Sequence, residues 1–505
     1  MNAVSFLKIN ASKFPDKTGF VFEDIAYTYD QAQKAAEGFA VYLKTSGIER
    51  GDKVCTMFYN SIEQAYAYFA VLMVGAVIVP INFRFIEREI TYIATDSDAK
   101  AILHGPEFME IVEGVKQNCP EIRFSLSVDV NSKKTRALLE TPDNSKSDAL
   151  AVMSPDMSDE SFINYTSGTT GKPKGVIITH SNNVWNQIKL VIDTPLNPAD
   201  VVIGSLPIFH SGGMGRFLAT MTVGGVFVSW KNFNAEQTIA AVSKYKGTFL
   251  LLVPAMAEMI FALPDLEKYN VDSLTKCLLT AAPVSVDMKK RALKLFYNAD
   301  IIDGYGLTEN TSATTMLKGD DVISKPSSVG LTDIFTEIRI FDERHKLLPT
   351  GEIGEIAVCG PTVMKGYYKN PIATDETIKD GWLLTGDLGR MDEDGYLYVV
   401  GRKKEMIISG GENIYPAEVE AVLNRHPKIL ESAVIGIPDS KWGETGMALI
   451  VLNPGQEMTT AEVEKYCIET MARYKRPKII RFVDSLIKNI AGKIKKHELK
   501  KIYVN

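Results

Sequence analysis

The 505-residue chain has only five cysteines (Cys55, Cys119, Cys277, Cys359 and Cys467), and no two form a CxxC pair. That excludes a disulfide-built scaffold and a cysteine zinc site, and fits reduced thiols in a cytosolic protein. Positive charge is not in excess either. The net charge of −6 argues against a protein that coats nucleic acid or an anionic membrane. Low-complexity tracts and internal repeats are absent. The opening Met-Asn-Ala-Val-Ser lacks a basic n-region and an apolar h-region, and the closing Ile-Tyr-Val-Asn is neither a peroxisomal nor a retention address. No signal peptide and a cytoplasmic location are therefore expected. One apolar run, Ala65 to Ile81, is free of charge and long enough to raise the question of a membrane span. Gly75 and Pro80 interrupt it and Val77 to Val79 is β-branched, so the expectation is a buried helix followed by a buried strand.

What is present is a globular composition, 45% hydrophobic and 23% charged, over a length that calls for two or more domains. Apolar residues at 32, 35, 36, 39, 40 and 43 have helical spacing, with Asp30 as the expected N-cap and Gly47 as the stop. A strand at 54–59, a helix at 62–73, a strand at 76–80, a helix at 87–95 and a strand at 101–104 follow. This alternation predicts α/β layers around a largely parallel sheet. The more polar stretch 123–159 is expected to loop over the surface. After a strand at 396–400 comes the charged cluster Arg402-Lys403-Lys404-Glu405. Beyond it the pattern predicts a helix from Pro416, strands at 432–437 and 448–452, a helix opened by the capping-box pair Thr459 and Glu462, and a strand at 478–483. The expected division is a large multi-subdomain α/β domain, 1–401, and a small mobile α+β domain, 402–505, hinged near Lys404.

The stretch Tyr165-Thr-Ser-Gly-Thr-Thr-Gly-Lys-Pro-Lys-Gly175 carries the most chemistry. From Thr166 to Gly175 every residue is hydroxylated, Gly, Lys or Pro, with four hydroxyls, three glycines and two lysines behind a strand-like 161–165. Glycines let backbone N–H groups close on an anion, hydroxyls add donors and lysines add charge, so the loop reads as a phosphate cradle. It is not a Walker A loop, because Lys172 is followed by Pro173 and not by Ser or Thr.

This loop resembles the signature of the adenylate-forming superfamily, which includes acyl-CoA synthetases, peptide adenylation domains and firefly-type luciferases. Further motifs extend the resemblance over essentially the whole chain. It implies that Thr166, Ser167, Gly168, Thr169, Thr170 and Lys174 bind the phosphates of ATP. Leu206-Pro-Ile-Phe-His210 is similar to the landmark whose histidine lies beside the acyl carboxylate. Thr280-Ala-Ala-Pro283 looks like the segment whose backbone meets adenine, implicating Ala281, Ala282 and Pro283. Asp303-Gly-Tyr-Gly-Leu-Thr-Glu309 matches a stretch in which Tyr305 would stack on adenine and Thr308 would contact the α-phosphate; Asp303, Gly304 and Gly306 belong to the same nucleotide site. Glu309 would bind Mg²⁺, with Thr170 as a second candidate metal contact. Asp387 of Trp382-Leu-Leu-Thr-Gly-Asp387 would accept from both ribose hydroxyls, and Arg402 would contact the same ribose. Lys404 takes the hinge position and is also placed among the nucleotide contacts. Gly410 and Gly411 resemble the backbone lining a pantetheine tunnel, with Lys231 and Lys475 as further coenzyme A candidates. Lys493 aligns with the catalytic lysine, although Asn489 stands where the family usually has Thr.

The activity so implied is an AMP- and pyrophosphate-forming carboxylate–CoA ligase using ATP, Mg²⁺ and coenzyme A. The small domain would rotate between half-reactions, carrying Lys493 out and the Gly410–Gly411 face in. The acid is expected to be a medium- or long-chain fatty acid, with aryl or dicarboxylic acids, or a carrier protein as acceptor, as alternatives. The resemblance also implies that Gly212 and Arg216, two and six positions after the landmark histidine, join His210 in the acyl pocket. Gly212 suggests room. Arg216 is expected to reach solvent or pair with a core acid, the alternative being inward recognition of a second polar group. Met214, Val253, Pro254 and Met256 are candidate apolar walls. The remaining partner expectations are small molecules only: no nucleic acid, no integral membrane segment, and a homodimer as an open assembly.

Overall fold

The computed structural model describes residues 2, 4–139, 155–166, 172–410, 412–488 and 494–504; within a helix, the side chain of Lys134 is also outside the description. The chain forms two compact units. The first comprises 1–326, 332–337 and 358–383, and the second 327–331, 338–357 and 384–505.

Two sheets build the first unit. One runs in the order Ser312–Leu317, Asp300–Leu307, Lys276–Thr280, Phe249–Leu252, Val201–Gly204, Val226–Ser229, Thr18–Phe22 and Ile25–Thr28. It is parallel between Asp300–Leu307 and Thr18–Phe22, and antiparallel at both ends. The other runs Gly366–Tyr367, Lys174–Thr179, Glu160–Thr166, Val77–Pro80, Lys53–Met57, Ala99–His104 and Phe124–Ser127. Its members from Glu160–Thr166 onward are parallel, whereas Glu160–Thr166 and Lys174–Thr179 form an antiparallel hairpin. Strands buried on both faces read as continuous apolar runs, and Val77–Pro80 and Phe249–Leu252 are of that kind.

Helix Ile62–Met73 and strand Val77–Pro80 are the predicted halves of the long apolar run, and both are buried. Among the described residues no helix is long and apolar enough to cross a membrane. Helix Tyr29–Thr45 is capped by Thr28, which exchanges capping-box bonds with Gln31, and not by Asp30 as expected. Asp30 lies in the first turn, paired with Lys34 at 2.7 Å, where a carboxylate also faces the helix dipole favourably. The polar stretch expected to be loop holds strand Phe124–Ser127 and helix Lys133–Leu139; 140–154 lie outside the described residues.

In the second unit, strands Trp382–Met391 and Leu397–Arg402 pair antiparallel. A separate sheet holds Glu412–Ile414, Ile407–Ser409, Gly443–Leu452 and Ile429–Asp439, with Ile479–Phe482 parallel to Gly443–Leu452. Helices Pro416–Leu423 and Thr460–Thr470 contribute Val419, Leu423, Val463 and Cys467 to one buried cluster. Helix Lys496–Tyr503 contributes Leu499 to a second. The capping box at Thr459 and Glu462 forms as its sequence predicts.

Candidate active site

The phosphate loop joins a hairpin whose last register pair before the turn is Thr166 opposite Lys174. Ser167, Gly168, Thr169 and Thr170 lie outside the described residues. Their flanks are braced. Tyr165 donates to Asp96 Oδ2 at 2.6 Å, and Tyr92 donates to the Pro173 carbonyl at 3.1 Å. Tyr165 and Pro173 are thus held by side chains of helix Glu87–Asp96.

From that hairpin a polar cluster extends across the first unit. Lys174 Nζ lies 4.8 Å from the centre of the Tyr367 ring, and the Tyr367 hydroxyl donates to Glu309 Oε1 at 3.1 Å. The Glu309 carbonyl accepts from Met364 N at 2.8 Å, tying its turn to the segment that carries Tyr367. Thr308 Oγ1 is 3.4 Å from Ser211 Oγ, the residue after His210. Thr166, Lys174, His210, Thr308 and Glu309 therefore fall in one connected region, and Tyr367 joins them. A buried network fixes this turn from behind. Thr362 donates to Asn310 at 2.8 Å, Thr311 donates to the Thr362 carbonyl at 2.6 Å, and the Lys189 ammonium contacts Asp333 at 3.5 Å and the Ala313 carbonyl at 2.5 Å.

Glycine is required in the Asp303–Glu309 stretch at one position above all. A Cβ on Gly306 would lie 1.9 Å from the Ser312 carbonyl oxygen of the adjacent strand. The Asp303 carboxylate turns away toward Lys289, with Asp303 Oδ2 2.7 Å from Nζ, while Lys289 also donates to the Pro326 carbonyl at 2.8 Å. Burial pushes the Asp303 pKa up against the opposing pull of Lys289. Gly304 keeps its carbonyl bonded to Thr280 Oγ1 at 2.8 Å, linking this stretch to the segment before Ala281. Ala281 is held at φ +71°, a left-handed conformation that costs an L-residue about 1–2 kcal/mol. Ala282 and Pro283 follow it at the surface, half-buried and exposed. Tyr305 is half-buried on the same strand.

On the acyl side His210 caps helix Ser211–Val223, its ring 4.5 Å from that of Phe209. The residue is exposed at the surface, yet desolvation by its surroundings, together with the charge of Arg84, lowers its pKa to about 4. Met214 and Val253 are buried, as apolar walls require. A Cβ at Gly212 would meet only Leu206 Cδ1, at 4.0 Å. The expectation for Arg216 is corrected. Its side chain neither reaches solvent nor pairs with a core acid: it is 1% exposed and bonds Thr194 Oγ1 at 2.8 Å.

In the second unit Asp387 and Arg402 stand opposite each other in register, and Arg402 Nε contacts Asp387 Oδ1 at 2.7 Å. Arg402 Nη1 also donates to the Thr385 carbonyl at 3.2 Å, and neighbouring Lys403 pairs with Glu355 at 2.7 Å. Gly410 sits at φ +60° with Trp442 Cε3 2.5 Å from where a Cβ would be, so its backbone is pressed against that ring. Lys404 is exposed. Lys475 pairs with Glu418 at a pocket of about 160 Å³ that Val419, Val422 and Met471 also line. In the first unit, Lys231 is exposed and pairs with Glu107 at 3.6 Å. Gly411 and Lys493 lie outside the described residues.

The donor set suits magnesium. Among the described residues no three His, Cys, Asp or Glu side chains converge on a metal position. Glu309 could supply one carboxylate, the number expected where phosphate oxygens and water complete the shell of Mg²⁺. Tyr367, Lys189, Lys289 and Asp333 were missed by sequence reasoning. None falls in a motif, and the only local signal was a Lys or Asp within an otherwise apolar or amphipathic pattern.

Comparison with known proteins identifies the family of the chain. The profile of the AMP-binding enzyme family matches residues 7–368, and that of the AMP-binding enzyme C-terminal domain matches 418–493. A feruloyl-CoA synthase of an Amycolatopsis species is 35% identical over 492 residues, 96% of each chain. A long-chain-fatty-acid–CoA ligase of Mycobacterium tuberculosis is 31% identical, over 95% of this chain and 94% of that one. The solved o-succinylbenzoate coenzyme A synthetase of Bacillus subtilis, in complex with ATP and magnesium ion, superimposes with a TM-score of 0.85 at 28% identity, covering 98% of this chain and 99% of that one.

Proposed function

Because the chain belongs to the AMP-binding enzyme family and is an AMP-forming acid–thiol ligase that uses ATP, Mg²⁺ and coenzyme A, we propose that it activates a medium- or long-chain fatty acid and transfers the acyl group to coenzyme A. The observation that carries the reading is the connected cluster of Lys174, Tyr367, Glu309, Thr308 and Ser211 running from the phosphate loop to His210. A fatty acid is supported by the buried Met214 and Val253 beside the landmark helix. An aryl acid is the second reading, favoured by the 35% identity to a feruloyl-CoA synthase.

The chemistry needs two anions brought together. A carboxylate oxygen attacks the α-phosphorus of ATP, the bond to the bridging oxygen of the β-phosphate breaks, and pyrophosphate leaves. The thiolate of coenzyme A then displaces AMP from the acyl carbon. Neutral His210 positions the carboxylate without holding it as a tight ion pair. Thr308 and the loop donors would stabilise the developing charge, where fixed dipoles outperform water because they need no reorganisation. Mg²⁺, when bound, offsets negative charge on the phosphate oxygens, and Glu309 would hold it with Tyr367 fixing the carboxylate. Asp387 and Arg402 would take the ribose, Tyr305 and 281–283 the adenine, and Lys493 would act in adenylation, with the functional hinge at Lys404 between domains 1–401 and 402–505.

The test separates the half-reactions. Purified protein is supplied with ATP, Mg²⁺ and a panel of carboxylic acids, and AMP and pyrophosphate are measured; the Lys493→Ala variant is then compared. We expect adenylation to fall by roughly 100-fold or more, while thioester formation from synthetic acyl-adenylate stays within a few-fold. Absence of AMP with every acid overturns the ligase reading, and equal loss of both half-reactions overturns the role of Lys493.

A further inference from the structure

One buried carboxylate in the second unit takes no part in the chemistry above. Glu355 lies on strand Gly354–Cys359, and its side chain is 9% exposed. In its sheet that strand neighbours Trp382–Met391, which in turn pairs with Leu397–Arg402. The two oxygens of Glu355 serve two different segments. Oε1 accepts from the backbone N–H of Gly386 at 3.1 Å, and Oε2 accepts from Lys403 Nζ at 2.7 Å. Gly386 immediately precedes Asp387, and Lys403 immediately follows Arg402. A buried carboxylate is costly unless its oxygens are satisfied, and here the donors that satisfy it flank the two residues proposed to take the ribose.

Each side of the Asp387–Arg402 pair has a weak point that Glu355 secures. Gly386 sits at φ +71°, a left-handed kink within its strand, and the N–H at the kink goes to Glu355. Beside it, Thr385 Oγ1 donates to the Ile356 carbonyl at 2.8 Å and accepts from Asp387 N at 3.1 Å, while the Thr385 carbonyl accepts from Arg402 Nη1 at 3.2 Å. On the other side, Arg402 is the last residue of its strand, and Lys403 opens a short helical turn. Element ends open more readily than their middles. The Lys403 ion pair therefore holds Arg402 in register opposite Asp387, up to the residue before the proposed hinge at Lys404. A single carboxylate thus fixes the approach to Asp387 and the exit from Arg402.

We infer that Glu355 is a positioning residue for nucleotide selection, acting through Asp387 and Arg402 by holding them at the spacing that reads both ribose hydroxyls. The inference rests on the ribose role proposed for those two residues. Its consequence is specificity and not affinity alone. A site built to hydrogen-bond a substrate hydroxyl rejects the analogue that lacks it. When the pair loses its anchor, the ribose bonds are lost first, because hydrogen bonds weaken steeply with angle and distance, whereas contacts to base and phosphates do not pass through Glu355.

The full-length enzyme is assayed for pyrophosphate release with ATP, 2′-deoxy-ATP and 3′-deoxy-ATP, using the carboxylic acid that gives most release with ATP. The unaltered enzyme should prefer ATP over each analogue by about 10-fold or more in kcat/KM. Glu355→Met, which removes both bonds, should lower kcat/KM for ATP by about 10-fold and bring each preference down to about 3-fold or less. Asp387→Ala should lower the preference as well, and adding Glu355→Met to it should change the preference no further. Equal loss with all three nucleotides in Glu355→Met overturns the inference, since that is what a merely structural role gives. A preference that drops further in the double variant overturns it too. If Glu355→Met does not fold, Lys403→Met decides, at a side chain 39% exposed: a lowered preference supports the inference and an unchanged one overturns it. An unaltered enzyme that treats all three nucleotides alike, or a preference that Asp387→Ala leaves intact, refutes the ribose reading on which the inference stands. No pyrophosphate with any acid refutes the ligase reading itself.

Discussion

Replacing Lys289 by Met tests whether the nucleotide stretch is held in place by a buried charge. Lys289 and Asp303 have side chains 1% and 8% exposed, and their charged atoms are 2.7 Å apart. Met fills the volume of the lysine stem but leaves the Asp303 carboxylate buried without its counterion. Removing one partner of such a pair costs about 3–5 kcal/mol. The variant can limit the loss by protonating Asp303, whose pKa burial already pushes up. An acid with a folded pKa above its unfolded value near 3.9 binds more protons when folded. Stability then falls as pH rises from about 4 to the folded pKa, by about 1.4 kcal/mol per pH unit at most. Urea unfolding followed by tryptophan fluorescence should therefore show Lys289→Met close to the parent at pH 5 and well below it at pH 7.5. Adding Asp303→Asn should recover most of the difference, with a coupling energy of about 2–3 kcal/mol in the double-mutant cycle. The KM for ATP should rise in the single variant, because Gly304 to Gly306 lose their anchor. A pH-independent loss below about 1 kcal/mol would refute the reasoning, since a surface-like pair gives no more than that.

Two further outcomes are expected. Tyr367→Phe removes the 3.1 Å bond to Glu309 and should lower kcat/KM for Mg·ATP by about 5- to 10-fold, with the half-maximal Mg²⁺ concentration rising; a Mg²⁺ titration of pyrophosphate release checks it. Gly306→Ala sets a Cβ where the Ser312 carbonyl oxygen is only 1.9 Å away. It should reduce ATP binding measured by calorimetry by more than about 10-fold, or about 1.4 kcal/mol, while circular dichroism stays that of the parent.

Much of the architecture was legible because local rules and the fold agree. The helix at 62–73 and the strand after it follow from a charge-free run broken by Gly75, and the Thr459–Glu462 box opens its helix as the pattern demands. Where neighbouring signals competed, the sequence misled: Thr28 and Asp30 are both good caps, and the Gln31 side chain bonding back to Thr28 N decided between them. The polar stretch after residue 123 still supplies an edge strand, Phe124–Ser127, because pairing with Ala99–His104 outweighs its weak alternation.

The sequence by itself determined the chemistry of the phosphate loop and the order of the motifs, since glycines, hydroxyls and lysines at consecutive positions have their meaning in the backbone they occupy. Only the tertiary structure decided which side chains serve those motifs. Tyr367 reaches Glu309 across 58 residues of sequence, Lys189 reaches the Ala313 carbonyl across 124, and Arg216 is sealed against Phe249 with Nε and Nη2 unmet. Such contacts join segments brought together by the packing of separate sheets and helices, and no periodicity or spacing along the chain encodes the partner of a buried charge.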